Sequence, residues 1–382
     1  MDAISVEVDT REDALAELRD EWTALFTGSK CAPFLAWEWM SAWNRAFGSG
    51  GRPVILKAHR DGRLIGLLPL RSFRRDLLGT HLAFIGAGAG GADYLDIIVR
   101  PGDRMEVAAA MIQYLSDDSR KFDLLRLDNV STDSSIAAQL RTSRIPRYSE
   151  LPAYVCPQID LSGGWKDVLG QSRRSSNFRR RLKQLEKLSG FEFRSVTSPD
   201  ALCAAFERFL SLHKRRWNSR GSELSGRPEL VAFHRNVVSR MVTTGLLRFD
   251  ELWADGECRA SIYGFDDGRT FYYYNTGFDP DWADRSVGMV LTGLSIRNSI
   301  DRGIAVYDFL RGDEAYKFDW ANKTEQLLNL ALSRDTLAAR LAVGLSAATF
   351  RLRAVAKEVI PSGVAAIAKK VRWALARKVF DL

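Results

Sequence analysis

The chain has 382 residues, 46% of them hydrophobic and 27% charged, with a net charge of +8 at pH 7; this composition excludes disordered and fibrous classes, and the length points to two folded domains. No apolar run reaches the ~18 residues of a membrane-spanning helix, and the acidic start MDAISVEVDTREDALAEL lacks the apolar centre of a secretory signal. Cys31, Cys156, Cys203 and Cys258 are dispersed with no CxxC and no histidine at ligand spacing, so neither a zinc site nor a disulfide framework is expected, and a reducing cytosol fits.

The first part reads as mixed α/β. A strand at Ile4–Val8 precedes a helix signalled by Thr10-Arg-Glu-Asp13, and FLAWEWMSAWNRAF has helical spacing at Trp39, Trp43 and Phe47. Strands PVILKAHR and RLIGLLPLRSF are joined by the tight turn Asp61-Gly62. HLAFIG and YLDIIV read as strands, RMEVAAAMIQYL as a helix and FDLLRL as a strand. Around Arg144–Pro157 prolines accumulate and periodicity lapses, which marks a boundary. The expected domains are 1–150, 151–332 and a tail, 333–382.

The second part repeats that grammar. A helix over Trp165–Leu188 leads to the strand FEFRSV, then to helices PDALCAAFERFLSLHKRRW and PELVAFHRNVVSRMVTTG. Strands LLRFDELWA, CRASIYGFD and TFYYYNTGF follow, separated by Asp255-Gly256 and Asp267-Gly268. A charged loop, a helix to about Arg302, the strand AVYDFL and a last strand TEQLLNLAL complete it. Only the order of elements repeats, not the residues.

That charged loop ends in Arg285-Ser286-Val287-Gly288, where a helix with apolar residues at Val287, Val290, Leu291 and Leu294 begins. A helix N-terminus leaves N–H groups unpaired and carries partial positive charge, so it suits a phosphate. Glycine there admits close backbone approach and Arg285 adds a cation; a glycine that only relieves packing is the alternative. RSVGMV after FYYYNTGF resembles the Arg/Gln-x-x-Gly-x-Gly/Ala pyrophosphate loop of the GNAT acyltransferases, with Val290 at the third small position. LHKRRWNSRG, YYYNTGFDPDWADRSVGMVL and GIAVYDFLRGDEAYKFDW together resemble the BioF-like and CelD-like acyltransferases, relatives of the Fem peptidyl transferases. The resemblance covers roughly Pro33 to Ala331.

It implies an α+β fold of two GNAT-like lobes, each a mixed, mostly antiparallel sheet flanked by helices. It implies acyl-CoA held at Arg285, Ser286, Val287, Gly288 and Met289, without a metal. The expected activity is N-acylation of an amine on a sugar or envelope precursor; aminoacyl transfer from charged tRNA and a non-catalytic binding module are the alternatives.

YDFLRGDEAYKFDW gathers charged and phenolic groups after a strand. Amine acylation needs a base for the ammonium proton and an acid for the leaving thiolate. Asp308 and Glu314 are candidate bases, Tyr316 the candidate acid, and Arg311 or Lys317 candidate anchors for an anionic group; a surface turn with ordinary salt bridges is the plain alternative. In LHKRRWNSRG, Trp217 is a candidate pocket wall and His213 a polar contact, and Tyr274 on the strand TFYYYNTGF joins the substrate set. SRRSSNFRRRLKQLEK places Phe178, Leu182, Leu185 and Leu188 on one face and Arg173, Asn177, Arg180, Arg181 and Gln184 on another. That face is either solvated or a clamp, with Arg180, for a phosphate, a nucleotide sugar or a tRNA acceptor stem. FIGAGAGGADYLD matches GxGxxG at Gly86, Gly88 and Gly91, but the strand YLDIIV follows where a helix must open, so a dinucleotide site is rejected. Asp93 and Tyr94 are instead expected to reach into a pocket between the lobes.

From Ser333 to Leu382 there are ten Lys/Arg and three Asp/Glu, which leaves 45 basic and 44 acidic groups in the preceding 332 residues. The tail pairs this charge with apolar stripes at Leu337, Leu341, Leu345 and at Ile367, Val371, Leu375, and carries Trp373 and Phe380. Two amphipathic helices on the anionic inner face of the cytoplasmic membrane are expected; a docking hairpin is the alternative.

Overall fold

The computed structural model describes residues 3–117, 122–143, 147–217, 222 and 224–341. The expected basic helices beyond 341 lie outside the described residues. Two compact units divide the chain. One takes residues up to Cys31, Phe47–Leu151 and the described residues from Leu328 on; the other takes Ala32–Ala46 and Pro152–Leu327.

The first unit holds β1 (Ser5–Asp9), α1 (Ala14–Glu17) and α2 (Arg19–Thr27). Helix α3 (Trp37–Phe47) belongs almost wholly to the second unit. The first unit continues with β2 (Gly51–Arg60), β3 (Arg63–Arg75), β4 (Gly79–Phe84), the two-residue β5 (Ile98–Val99), α4 (Arg104–Ser116), β6 (Leu124–Ser131) and α5 (Ser135–Thr142). The meander β1-β2-β3-β4 is antiparallel, whereas β6 lies parallel to β4 after the α4 crossover. The Asp61-Gly62 turn has φ of 52° and 72°, the positive pair that a two-residue hairpin turn demands.

Strand β7 (Tyr148–Asp160) leads into the second unit, which contains α6 (Gly164–Gln171), α7 (Ser175–Leu185), β8 (Glu192–Val196), α8 (Pro199–Trp217) and α9 (Pro228–Met241). Then come β9 (Leu247–Ala254), β10 (Glu257–Asp266), β11 (Thr270–Phe278), α10 (Val287–Asp301), β12 (Val306–Asp308), α11 (Ala315–Phe318) and β13 (Lys323–Ser333), whose residues from Leu328 on belong to the first unit. Sheet order in this unit is β7-β12-β11-β10-β9-β8, antiparallel except for the parallel pair β11 and β12 across α10. Each unit is thus an antiparallel meander whose last strand crosses through a helix to a parallel neighbour. The mixed, mostly antiparallel α+β architecture is the one the sequence implies.

Three local expectations change. The helix over Trp165–Leu188 breaks into α6 and α7 because the Ser172 hydroxyl bonds the Asp319 carbonyl (2.9 Å) and receives the Arg174 N–H (3.1 Å). YLDIIV is strand only at Ile98–Val99; before it the backbone takes positive φ at Gly86, Gly88, Gly90, Gly91 and Tyr94. The division between the units does fall in the proline-rich stretch, at Leu151 and Pro152, but within the 13-residue strand β7 rather than in a linker.

The second core joins Phe178, Leu252, Ile262, Phe271, Val287, Leu291, Ile296, Tyr307 and Trp320. Helix α8 packs on β11 at its closest point through Gly277, where an added Cβ would stand 2.5 Å from the His213 nitrogen and 2.9 Å from the Phe209 oxygen. Both obstacles are backbone, so the helix would have to move. Gly277→Ala is expected to lower stability by roughly 1–3 kcal/mol, read as the urea midpoint; an unchanged midpoint would show that α8 sits farther from the strand.

Candidate active site

Strands β11 and β12 pair over only three residues, from Thr270 opposite Val306 to Tyr272 opposite Asp308. Beyond them β12 turns to the other neighbour, with Phe309 N–H bonded to Pro157 O at 2.9 Å. On its other side β11 slips register against β10, where Tyr263 faces Asn275 and Gly264 faces Tyr273, so Tyr274 is the extra residue of a bulge. A strand that is bulged on one edge and released on the other opens a cleft. A cavity of about 300 Å³ lies there.

Its walls come from five separate segments: Tyr273, Thr276 and Phe278 of β11; Ala283, Ser286, Val287, Gly288, Met289 and Thr292 from the loop and α10; Arg174; Arg216; and Tyr316 with Trp320. The loop is held from below. Buried Asp279 accepts from Arg215 (2.6 Å), from Arg259 (3.0 Å) and from the Asp281 N–H (3.1 Å), which fixes the entry to the 3-10 turn Pro280–Arg285. Arg259 and Arg285 stand over the Trp282 ring at 4.5 and 4.1 Å. Ser286 takes φ of +57° at the N-cap, an uncommon conformation for a residue with a side chain. The first helical bond of α10 is Val290 N–H to Ser286 O (3.0 Å), so the N–H groups of Val287, Gly288 and Met289 precede the helical ladder at the cavity wall. Gly288 lies close to the Phe278 ring, 3.0 Å from where its Cβ would be, so it serves packing as well as approach.

Among the described residues no carboxylate lines this cavity, and two guanidinium groups do. Arg174 is held by Asp319 at 2.6 Å; Arg216 donates to the Thr276 carbonyl (3.3 Å) and lies 4.4 Å from the Phe278 ring. With the helix N-terminus they make a concave anion cradle. Tyr273 and Tyr316 both line the cavity, and burial holds the Tyr316 phenol far above its usual range, with Tyr273 and the charge of Glu314 adding to the effect. Tyr316 is therefore protonated at neutral pH.

The structure brings Ser286, Val287, Gly288, Met289 and Tyr316 together, with Arg285 beside them on Trp282. Other sequence candidates stand elsewhere. Asp308 is buried and accepts from the Leu310 N–H (2.6 Å) and from Gln158 (2.8 Å). Exposed Glu314 pairs at 3.0 Å with buried Lys317, which also donates to the Arg311 carbonyl at 2.8 Å. Arg311 lies over the Tyr154 ring at 5.4 Å. His213 is behind the wall, between the Thr276 carbonyl (3.1 Å) and the Ser222 hydroxyl (2.7 Å). Half-buried Trp217 supports Arg216, 5.0 Å from its ring, and Tyr274 bonds His234 (3.2 Å). Arg180 is exposed and donates to Asn177. Asp93, 1% exposed, and Tyr94, with φ of +59°, belong to the first unit. Sequence reasoning missed Arg174, Arg216, Tyr273, Thr276, Thr292 and Trp320 as wall residues, although Arg216 and Tyr273 lie inside stretches already singled out.

Burial lowers the pKa of His213 to about 4 and of His234 to about 3, with a hydrogen bond to the Thr276 carbonyl opposing it at His213 and His213 adding to it at His234. Both are neutral when folded, while an unfolded histidine titrates near 6.5. The folded state therefore binds fewer protons: stability is complete above pH ~6.5 and is lost as pH falls from there toward the folded values. Between pH 6.5 and 5 the expected loss is on the order of 2 kcal/mol for each histidine. Denaturant titrations at the two pH values check it, and His234→Gln should flatten the dependence by about half; a pH-independent midpoint would contradict the assignment.

A family model described as an acetyltransferase (GNAT) domain matches residues 172–318, the segment that contributes every wall residue but Trp320. Among solved structures, FemX shares 11% identity and a TM-score of 0.59 over 88% of this chain and 99% of its own. A conserved protein of unknown function from Bacteroides thetaiotaomicron shares 12% identity and 0.55 over 86% and 100%. A DUF2156 domain from Agrobacterium fabrum, described as the C-terminal domain of a lysylphosphatidylglycerol synthetase, shares 12% and 0.53 over 88% and 96%. At such identities these likenesses concern the fold. No curated protein sequence matches the chain.

Proposed function

We propose that this transferase, whose residues 172–318 match an acetyltransferase (GNAT) domain, moves an acyl group from an acyl-CoA thioester to an amine of a sugar or cell-envelope precursor. The first unit, with the same order of strands around its crossover, is read as a second GNAT-like lobe. The observation that carries the reading is the cradle: three N–H groups at the start of α10, flanked by Arg174 and Arg216, in the gap where β11 and β12 part. A diphosphate carries the charge that such a cradle stabilises, and the gap between the strands leads toward Tyr316. No metal enters the scheme.

In this reading the diphosphate sits on Val287, Gly288 and Met289, and Arg285 adds long-range attraction. The amine attacks the thioester carbonyl, the tetrahedral intermediate collapses, and Tyr316 supplies the proton that the leaving thiolate takes up. Glu314, exposed and close enough to act on Tyr316 electrostatically, receives the ammonium proton; Asp308 is committed to Leu310 and Gln158. His213 and Tyr274 position β11, and Trp217 positions Arg216. Arg180, Arg311, Lys317, Asp93 and Tyr94 remain proposed acceptor contacts. The test is release of free thiol from a set of acyl-CoA donors with amino sugars as acceptors. Amine-dependent release supports the reading; no release with any pair removes it.

A second reading, aminoacyl transfer from charged tRNA, is favoured by one observation. Arg173, Arg179, Lys183 and Lys187 are exposed on and around α7, and none of them has an ion-pair partner among the described residues. A gel shift with tRNA across salt separates the two, since phosphate contacts give a steep salt dependence. The basic tail stands as a proposed contact with an anionic membrane, tested by flotation of the chain with and without residues 333–382.

A further inference from the structure

The first unit carries a second cationic site, unrelated to the cavity just described. Strand register places Phe73 opposite His81, Arg71 opposite Ala83, and Ala83 opposite Arg126, so these residues share one sheet face with Arg75. Arg71 and Arg75 bracket the Phe73 ring, at 5.2 and 5.4 Å from its centroid, and the Phe73 and His81 rings are 5.6 Å apart.

Arg75 is the unusual member. It is half-buried, its Nε is fully enclosed without a hydrogen-bond partner, and it has no ion pair among the described residues. Carboxylates nearby are committed elsewhere. Asp128 takes Arg126 at 2.6 Å, and Asp123 takes the Thr80 N–H (2.8 Å) and the Thr336 hydroxyl (2.7 Å). Burial and then the charge of Arg126 bring the Arg75 pKa down to about 10. A desolvated cation with a second cation beside it costs stability unless an anion completes the site. Beside it the turn Asp76–Leu78 presents Leu77, 82% exposed.

We propose that this face at the β3–β4 turn binds a phosphate ester, with Arg75 as the principal contact, Arg126 and Arg71 beside it and Phe73 as the apolar floor. A planar guanidinium matches a phosphate through paired hydrogen bonds. The neighbouring Leu77 favours the headgroup of an anionic lipid over a soluble ester, because an exposed leucine next to arginines suits the bilayer boundary.

Calorimetry of the full chain with inorganic phosphate, and co-sedimentation with phosphatidylcholine vesicles with and without phosphatidylglycerol, test it. The cradle on the second unit is also proposed to hold phosphate groups, so the decisive reading is the difference between wild type and Arg75→Met. Wild type is expected to bind phosphate with one site that Arg75→Met weakens roughly tenfold. Arg75→Met should keep or raise the thermal midpoint without ligand, because it removes an uncompensated cation, whereas a structural arginine would lower it. Phosphate should raise the wild-type midpoint more than the variant's. Sedimentation with phosphatidylglycerol that Leu77→Ser and Arg75→Met both reduce identifies the lipid source. Weakening of that one site in Arg75→Met with no vesicle binding identifies a soluble ester. Phosphate binding and midpoint shifts that are the same in wild type and Arg75→Met overturn the proposal.

Discussion

Arg248→Ala should lose roughly 3–5 kcal/mol of stability, the largest effect expected of any single substitution in the second unit. Arg248 is 0% exposed. It donates to Asp250 at 2.9 Å, to Asp266 at 3.0 Å and to the Ser299 hydroxyl at 2.6 Å, and its guanidinium lies 3.7 Å from the Phe271 ring. One residue thus ties β9 and β10 to α10, the helix whose first turn forms the anion cradle. Removing it leaves two buried carboxylates, of which Asp250 retains the Ser195 hydroxyl at 2.8 Å. Arg248→Lys should recover only part of the loss, because an ammonium cannot span three acceptors in different directions. Urea unfolding gives the number. A loss below about 1 kcal/mol would mean that the network is hydrated and that the helix is positioned by apolar packing alone.

The second large effect is chemical. Tyr316→Phe should lower kcat for acyl transfer by roughly 10²–10⁴-fold, with little change in the KM of the donor, because the phenol is asked to give a proton in the transition state rather than to bind the diphosphate. The substitution conserves ring and volume, so folding should persist. Tyr273→Phe should cost much less if Tyr273 only orients its neighbour. Steady-state rates with saturating amine measure both. A kcat for Tyr316→Phe within threefold of wild type would transfer the role of acid to another group or to water.

The parts of the fold legible in the sequence are those set by short-range rules. The meanders β2-β3 and β9-β10-β11 follow from alternation and from Asp-Gly turns; Asp255-Gly256 takes φ of 53° and 76° as such a turn requires. The start of α10 was legible because a charged loop, a glycine and an apolar stripe meet there. What escaped depends on distant partners. The break between α6 and α7 is anchored by Asp319, far along the chain from Ser172. Strand β7 hides behind Pro152 and Pro157, which local propensity counts against a strand. The site followed the same division. Ser286–Met289 and Tyr316 could be named because each sits in a local motif. Arg174 and Arg216 could not be separated from neighbouring surface arginines, since only the fold decides which guanidinium turns inward. Asp308, a candidate base in the sequence, accepts the N–H of Leu310, which sits in a left-handed turn with φ of 55°.

In the proposed reaction the donor diphosphate sits at the mouth of α10. The most direct test of that placement is a calorimetric titration of coenzyme A into the full chain and into the Arg174→Ala/Arg216→Ala double variant. Saturable binding to wild type, weakened at least ~tenfold by loss of the two guanidinium groups, is the result expected. Absence of binding at millimolar coenzyme A, or equal affinity in the double variant, would contradict it.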